Sequence, residues 1–155
     1  MGEVIGLNSL MELRKKWKRK SVVFTNGVFD IIHYGHVKLL SDCKKMGDIL
    51  IVGLNSDASV RRLKGPRRPV MAFRDRSKML AAIEYVDYVV SFGQPTPLEI
   101  IKKIKPDILV KGADYKVSEI VGAKEVTGWG GRVRRIKILP GRSTSDLIRK
   151  IKAGF

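Results

Sequence analysis

Cysteine is nearly absent. Cys43 stands alone in 155 residues, so no intrachain disulfide can form and the chain suits a reducing compartment. Its place on the apolar side of a helical pattern reads as a buried structural thiol. Aromatics make up only 7%, and apart from Trp17 none sits among the basic runs, which argues against a surface built to stack nucleic-acid bases. No apolar stretch approaches the roughly twenty residues of a membrane span, and Glu3 interrupts the N-terminus where a leader needs an apolar run. Together these absences imply a cytoplasmic protein. Acidic residues are few as well: 15 against 31 basic ones leaves a net charge of +16. The positive residues recur at 14–20, 61–68, 102–105, 132–137 and 149–152 rather than in one block, so polyanion binding at low salt is expected as a side effect of charge.

What is present suffices for one core. Hydrophobic residues are 44% of the chain, the length is that of one domain, and no repeat or linker interrupts it. Ser9 and Glu12 have capping-box spacing ahead of Leu10, Leu13 and Trp17, which predicts a helix over 10–18. Apolar runs at 22–25, 48–54, 88–92, 108–110 and 133–139 read as strands. Helical periodicity follows at 37–46, 74–86, 97–104, 118–127 and 143–152. The segment 56–71, rich in arginine, lysine, glycine and proline, reads as a long loop. Its Arg61, Arg62, Lys64, Arg67 and Arg68 either clamp phosphates or are simply solvated. Strands alternating with helices imply a Rossmann-like α/β fold: a doubly wound, five-stranded parallel sheet in the order 3-2-1-4-5 with helices on both faces.

The densest chemistry lies in 24–36, where a strand hands over to a helix through Asn26-Gly27 and His33-Tyr34-Gly35-His36. A helix start offers free N–H groups and the positive end of the dipole, so an anion is stabilised there. Gly27 lets a ligand cross the strand end, and Gly35 lets the chain turn between the imidazoles. Ligands in open α/β sheets bind outside the carboxyl ends of strands, which here carry 26–36, Asn55, and Lys111-Gly112-Ala113-Asp114-Tyr115. Those motifs are expected to converge.

Gly27-x-Phe29-Asp30-x-x-His33-x-Gly35-His36 resembles the signature of the nucleotidyltransferase superfamily that contains the cytidylyltransferases. The strings at 23–27, 55–66 and 110–115 are similar to the D-glycero-β-D-manno-heptose 1-phosphate adenylyltransferase half of the ADP-heptose synthases, and the likeness runs from about Ser9 to the C-terminus. The resemblance implies transfer of AMP from ATP to a sugar 1-phosphate. It divides the chain into a helical extension at 1–20 and a nucleotidyltransferase domain at 21–155. It makes His33, His36 and Lys111 catalytic, and assigns the nucleotide and its phosphates to Asn26, Gly27, Phe29, Asp30, Gly35, Lys38, Asn55, Arg76, Gly112, Asp114, Ser143 and Thr144. The Ser-Thr pair would hold the β- and γ-phosphates. Arg142 departs from the family pattern, which has a small or apolar residue there; it either adds a phosphate contact or points away. Lys38 reaches a phosphate or faces solvent, and its neighbourhood resembles the glycerol-3-phosphate cytidylyltransferases equally well, which keeps CTP as an alternative nucleotide. Mg²⁺ is implied as the cofactor, held mainly by the nucleotide phosphates, with no protein metal ligand. A separate sugar kinase and a homodimer are likewise implied; a nucleic-acid partner is not.

Overall fold

The computed structural model describes residues 1–112 and 116–154. Its elements run in the order β1 (Glu3–Val4), α1 (Leu7–Arg14), β2 (Val22–Gly27), α2 (Tyr34–Lys44), β3 (Ile49–Asn55), α3 (Asp57–Lys64), α4 (Phe73–Ala82), β4 (Tyr88–Phe92), α5 (Leu98–Ile104), β5 (Ile108–Gly112), a 3₁₀ turn at Val117–Glu119, α6 (Ala123–Gly128), β6 (Arg132–Ile136) and α7 (Thr144–Ala153). All strands are parallel, in the spatial order β1-β4-β3-β2-β5-β6. The expected 3-2-1-4-5 arrangement is therefore present within a sheet of six strands rather than five. The sixth, β1, has two exposed residues that pair with Tyr88 and Val89, too short a stretch to show a period of two.

Because side chains alternate across a strand, the sheet buries two apolar layers. Phe24, Ile51, Val90 and Leu109 pack with Leu10, Ile101 and Val126 beneath α1, α5 and α6. Val23, Val52, Val89 and Val110 pack with Leu40, Cys43 and Leu80 beneath α2 and α4. Aspartates fasten the strand entrances: Asp48 accepts from the N–H of Ser21 at 2.7 Å, Asp87 from that of Leu50 at 2.7 Å, and Asp107 from that of Val22 at 2.8 Å. With that end tied, the carboxyl ends are left for function. No helix among the described residues is long and apolar enough to cross a membrane.

Three further expectations are corrected. Helix α1 starts at Leu7 behind Gly6, with no side-chain cap, so Ser9 is interior and the Ser9/Glu12 capping box is not used. Segment 56–71 is not all loop: Ser56 caps α3, its hydroxyl oxygen accepting from the N–H of Ser59 at 3.2 Å, and only Ser59 and Val60 are buried in that helix. The helix is amphipathic, but its arginines and lysine and the Gly65-Pro66 that follows give the segment the composition of a loop. The last strand stops at Ile136, and 137–139 leave the sheet to wall a cleft.

Candidate functional site

The β2–α2 connection is held in an unusual backbone conformation. Phe29 and Ile31 both have positive φ, 47° and 51°, a region that side-chain-bearing residues seldom occupy and that must be held by surrounding contacts. Those contacts are visible. The buried carboxylate of Asp30 accepts from Arg68 Nε at 2.9 Å and from the N–H groups of Val70 and Met71 at 2.8 and 2.9 Å. Arg76, fully buried, donates to the carbonyls of Met71 (3.0 Å), Val28 (2.6 Å) and Asn55 (3.0 Å), and to Asp57 Oδ1 (2.6 Å). Phe29 is buried beneath Gly27, where an added Cβ would lie 3.1 Å from its ring. A charged pair and one aromatic ring thus fix the loop that carries the histidines.

His33 is the N-cap of α2, and the two imidazoles close a reciprocal cap. His33 Nδ1 accepts from the N–H of Gly35 at 3.1 Å, and His36 Nδ1 accepts from the N–H of His33 at 3.3 Å. An acceptor nitrogen carries no proton, so in each neutral ring the hydrogen is on Nε2. The rings lie 3.9 Å apart, centroid to centroid, and the Phe29 ring lies 5.2 Å from that of His36. Burial, with the neighbouring His33 adding to it and Asp30 opposing it, moves the His36 pKa down to about 4. Burial and then the Arg142 guanidinium lower that of His33. Both rings are accordingly neutral donors at pH 7.

Both rings border a cleft of ≈ 280 Å³ at the carboxyl ends of β2 and β5. Its floor holds Gly27 and Gly112, its apolar wall Leu39, Ile138 and Leu139, its cations Lys38, Lys137 and Arg142, and its far rim Ser143 and Thr144 at the start of α7. Ser143 caps α7, its hydroxyl oxygen accepting from the N–H of Asp146 at 3.1 Å and donating to Asp146 Oδ2 at 2.7 Å. Thr144 donates to the carbonyl oxygen of Asp30 at 2.7 Å. A smaller hollow of ≈ 260 Å³ continues past His36 to Lys64, Arg68 and Ser145. Arg142 stacks over the exposed Tyr34 ring, 5.3 Å from its centroid. Polyanions are matched here by imidazole donors, helix-terminal N–H groups and cations, and no carboxylate is among the described residues lining the cleft.

The structure thus gathers Asn26, Gly27, Phe29, His33, Gly35, His36, Lys38, Gly112, Ser143 and Thr144 around one opening. It does not bring the others there. Arg76, expected on a phosphate, spends four of its five donors on protein oxygens inside the fold. The Asp30 carboxylate faces away into 68–71, although Asp30 edges the smaller hollow. Asn55 donates its amide to Ser59 Oγ at 2.9 Å, serving α3. Lys111 lies on the opposite face of the sheet, beside Pro97, Glu119 and Ile120. Lys38, left open between phosphate and solvent, borders the cleft and is paired with Asp42. Asp114 lies outside the described residues. Lys137 was not singled out from the sequence, where it sits inside a run of alternating charges; only the early end of β6 turns it toward the cleft.

Comparison with known proteins identifies the family. Residues 24–150 match the model of the family described as cytidylyltransferase-like. The chain is 50% identical over 145 residues to the bifunctional protein HldE of Syntrophotalea carbinolica, covering 94% of this chain and 29% of that protein. It is 51% identical over 150 residues to the bifunctional protein HldE of Campylobacter fetus, covering 97% and 31%. The chain therefore spans less than a third of the length of these curated relatives. Among solved structures, the lipopolysaccharide core biosynthesis protein of Thermoplasma volcanium superposes with a TM-score of 0.63 at 29% identity, over 77% of this chain and 97% of that one. The fold alone is shared with the pantoate-beta-alanine ligase of Francisella tularensis, with a TM-score of 0.70 at 16% identity, over 94% of this chain and 69% of that one. With its family model spanning the sheet from β2 to α7, the histidine turn included, this chain belongs to the cytidylyltransferase-like family.

Proposed function

We propose that the chain is a nucleotidyltransferase that moves AMP from ATP to a sugar 1-phosphate, D-glycero-β-D-manno-heptose 1-phosphate, giving ADP-heptose and pyrophosphate. The observation that carries this reading is the mutual cap of His33 and His36, which commits both Nδ1 atoms to backbone N–H groups and frees two Nε2–H donors beside the N-terminus of α7. The likeness to proteins named HldE supports the acceptor.

In the reaction an oxygen of the acceptor phosphate attacks the α-phosphorus of ATP, the bond from that phosphorus to the bridging oxygen breaks, and pyrophosphate leaves with the electron pair. No covalent enzyme intermediate is needed. Catalysis is orientation together with prearranged donors where charge grows. His36 and His33 hydrogen-bond the α-phosphoryl and the departing oxygen through Nε2–H, without a proton being lost from either ring. The first turn of α7 receives the outer phosphates through N–H groups and its dipole, with Ser143 and Thr144 presenting them. Arg142 and Lys137 balance charge from the rim. Gly27 and Gly112 leave the floor open, and Leu39 with Ile138 offers the base an apolar wall.

Mg²⁺ neutralises triphosphate charge when bound. Among the described residues the cleft lining has no carboxylate and there is no cluster of three His, Cys, Asp or Glu that could bind a metal; in this reading the ion is held mainly by the nucleotide phosphates and water. A homodimer, a cytoplasmic location and a sugar kinase activity that supplies the acceptor belong to the same reading. The test is pyrophosphate release from ATP and heptose 1-phosphate by wild type, His33→Ala and His36→Ala. A loss of about 10²–10³ in kcat is expected for each variant, and unchanged kcat in both abandons the histidine role. The rival acceptor chemistry, CTP with glycerol 3-phosphate, is favoured by Lys38 at the cleft; offering each nucleotide with each acceptor separates the two.

A further inference from the structure

The alternation of side chains splits two adjacent pairs of motif residues between opposite faces of the sheet. Gly27 and Gly112 face the histidine cleft, since a Cβ on the first would meet the Phe29 ring and one on the second would meet Ile138. Their predecessors, Asn26 and Lys111, face the other way. Phe24 pairs with Leu109 in the β2–β5 ladder, and two residues further along each strand these two share that face. A Cβ built on Gly53 meets both Phe24 and the Cβ of Asn26, which fixes the same side independently.

Two polar groups are left over on that face. Asn26 Oδ1 is shut off from solvent and has no hydrogen-bond partner among the described residues. Such an acceptor is destabilising unless a ligand satisfies it, and buried polar atoms rarely remain single. Lys111 is largely desolvated, its pKa lowered to about 8 by burial; its ammonium reaches only the carbonyl oxygen of Asn26, at 3.5 Å, and among the described residues it has no ion pair. Beside it lies a hollow of ≈ 120 Å³ lined by Pro97, Glu119, Ile120 and Val121. One unmet acceptor and one unmet cation, side by side, match a molecule that carries a hydroxyl and a phosphate together.

We infer that Asn26 and Lys111 form the acceptor subsite: Lys111 binds the phosphate of the sugar 1-phosphate, Asn26 Oδ1 accepts from a sugar hydroxyl, and the two substrates enter from opposite faces of the sheet. In-line displacement accommodates this division, because the attacking oxygen must stand opposite the leaving pyrophosphate across the α-phosphorus. The pyrophosphate side belongs to the histidines and α7. The opposite side, reached across the side-chain-free tips at Gly27 and Gly112, belongs to Lys111. Asn26 also borders the histidine cleft, which puts it at the meeting point. Lys111 is thereby a ligand of the incoming nucleophile rather than of the nucleotide.

The inference rests on the transferase reading, and one experiment separates the two. Wild type is assayed with ATP and heptose 1-phosphate, and with ATP and glycerol 3-phosphate, to establish the acceptor; silence with both overturns the transferase reading and this inference with it. With an active acceptor, Lys111→Met and Asn26→Ala are compared with wild type for acceptor KM, ATP KM and calorimetric ATP Kd. Loss of a charged hydrogen bond predicts an acceptor KM raised about 10–100-fold in Lys111→Met with an ATP Kd within about twofold of wild type, and a smaller rise in acceptor KM in Asn26→Ala. The ATP titration also reports that each variant is folded. In Lys111→Met, weakened ATP binding, equal rises in both KM values, or a fall in kcat with both KM values unchanged would each overturn the subsite while leaving the histidine mechanism standing.

Discussion

Thr144 and Asp30 are 114 positions apart, yet the Thr144 hydroxyl donates to the Asp30 carbonyl oxygen at 2.7 Å. This bond ties the first turn of α7 to the histidine loop. The same Asp30 fixes residues 68–71 with its carboxylate, so one residue joins three parts of the site. Thr144→Val keeps the branched shape and removes the donor. A neutral hydrogen bond contributes about 1 kcal/mol, so the melting temperature should fall by only about 2–4 °C. Activity should fall further, about tenfold in kcat, because α7 loses its alignment on the histidines. Equal kcat in Thr144→Val and wild type would show that this bond is not needed for alignment.

Gly35 is required by packing rather than by its dihedral angles. A Cβ there would sit 2.9 Å from His33 Cε1 and 3.0 Å from the backbone oxygen of Arg142. The ring could rotate, but the carbonyl belongs to the loop leading into α7 and has no such freedom. Gly35→Ala should therefore separate α2 from α7 and disturb the His33 ring. We expect kcat/KM for ATP to drop by more than tenfold while circular dichroism stays native, measured in the pyrophosphate assay.

Arg76 serves the fold and not the ligand. Replacing it with Met takes a buried donor from three carbonyl oxygens and from Asp57 Oδ1, while Asp57 Oδ2 keeps the N–H of Phe73. Removing one partner from a buried, hydrogen-bonded charge commonly costs about 3–5 kcal/mol. Arg76→Met should lower the denaturant midpoint substantially, and Arg76→Lys should recover little, since one ammonium cannot span acceptors on three segments. If either variant is as stable as wild type but has lost ATP affinity, Arg76 is a phosphate ligand after all.

How far the sequence discloses this site depends on the scale of the signal. Dense β-branched runs such as 49–52 announce central strands because both their faces are buried, and the His33-Tyr34-Gly35-His36 turn is readable because helix starts bind anions. By contrast, β1 has two exposed residues, too few to show a period, and α3 is hidden by its arginine- and lysine-rich composition rather than by lack of amphipathic pattern. Arg76 and Asp30 look like ligand-binding charges in a string of letters. Only coordinates reveal that backbone oxygens and N–H groups from distant segments have already claimed them. The parity of strand positions was available in principle: Lys111 stands one residue from Gly112 and so must point to the opposite face, but which face holds the histidines depends on the crossover from β2 to α2.

The pH response follows from the caps. The folded-state pKa of His36 is about 4, well below the ordinary histidine value near 6.5, and that of His33 is also lowered. Between pH 6.5 and 4 the unfolded chain therefore binds protons that the native imidazole refuses, and stability must fall as pH falls through that window. Protonating Nδ1 would also turn an acceptor into a donor facing another N–H, breaking the cap at the start of α2. Wild type should lose melting temperature between pH 6.5 and 4.5 by more than His36→Gln, a variant that has no imidazole at this position to titrate. Activity should not require a protonated imidazole and should hold as pH rises from 6 to 8. Arg142→Ala supplies the complementary test: without the guanidinium that lowers it, the His33 pKa should move upward toward the ordinary value in an NMR titration. If the His36 ring titrates near 6.5 in the wild-type protein, the neutral-donor description of this pair is wrong.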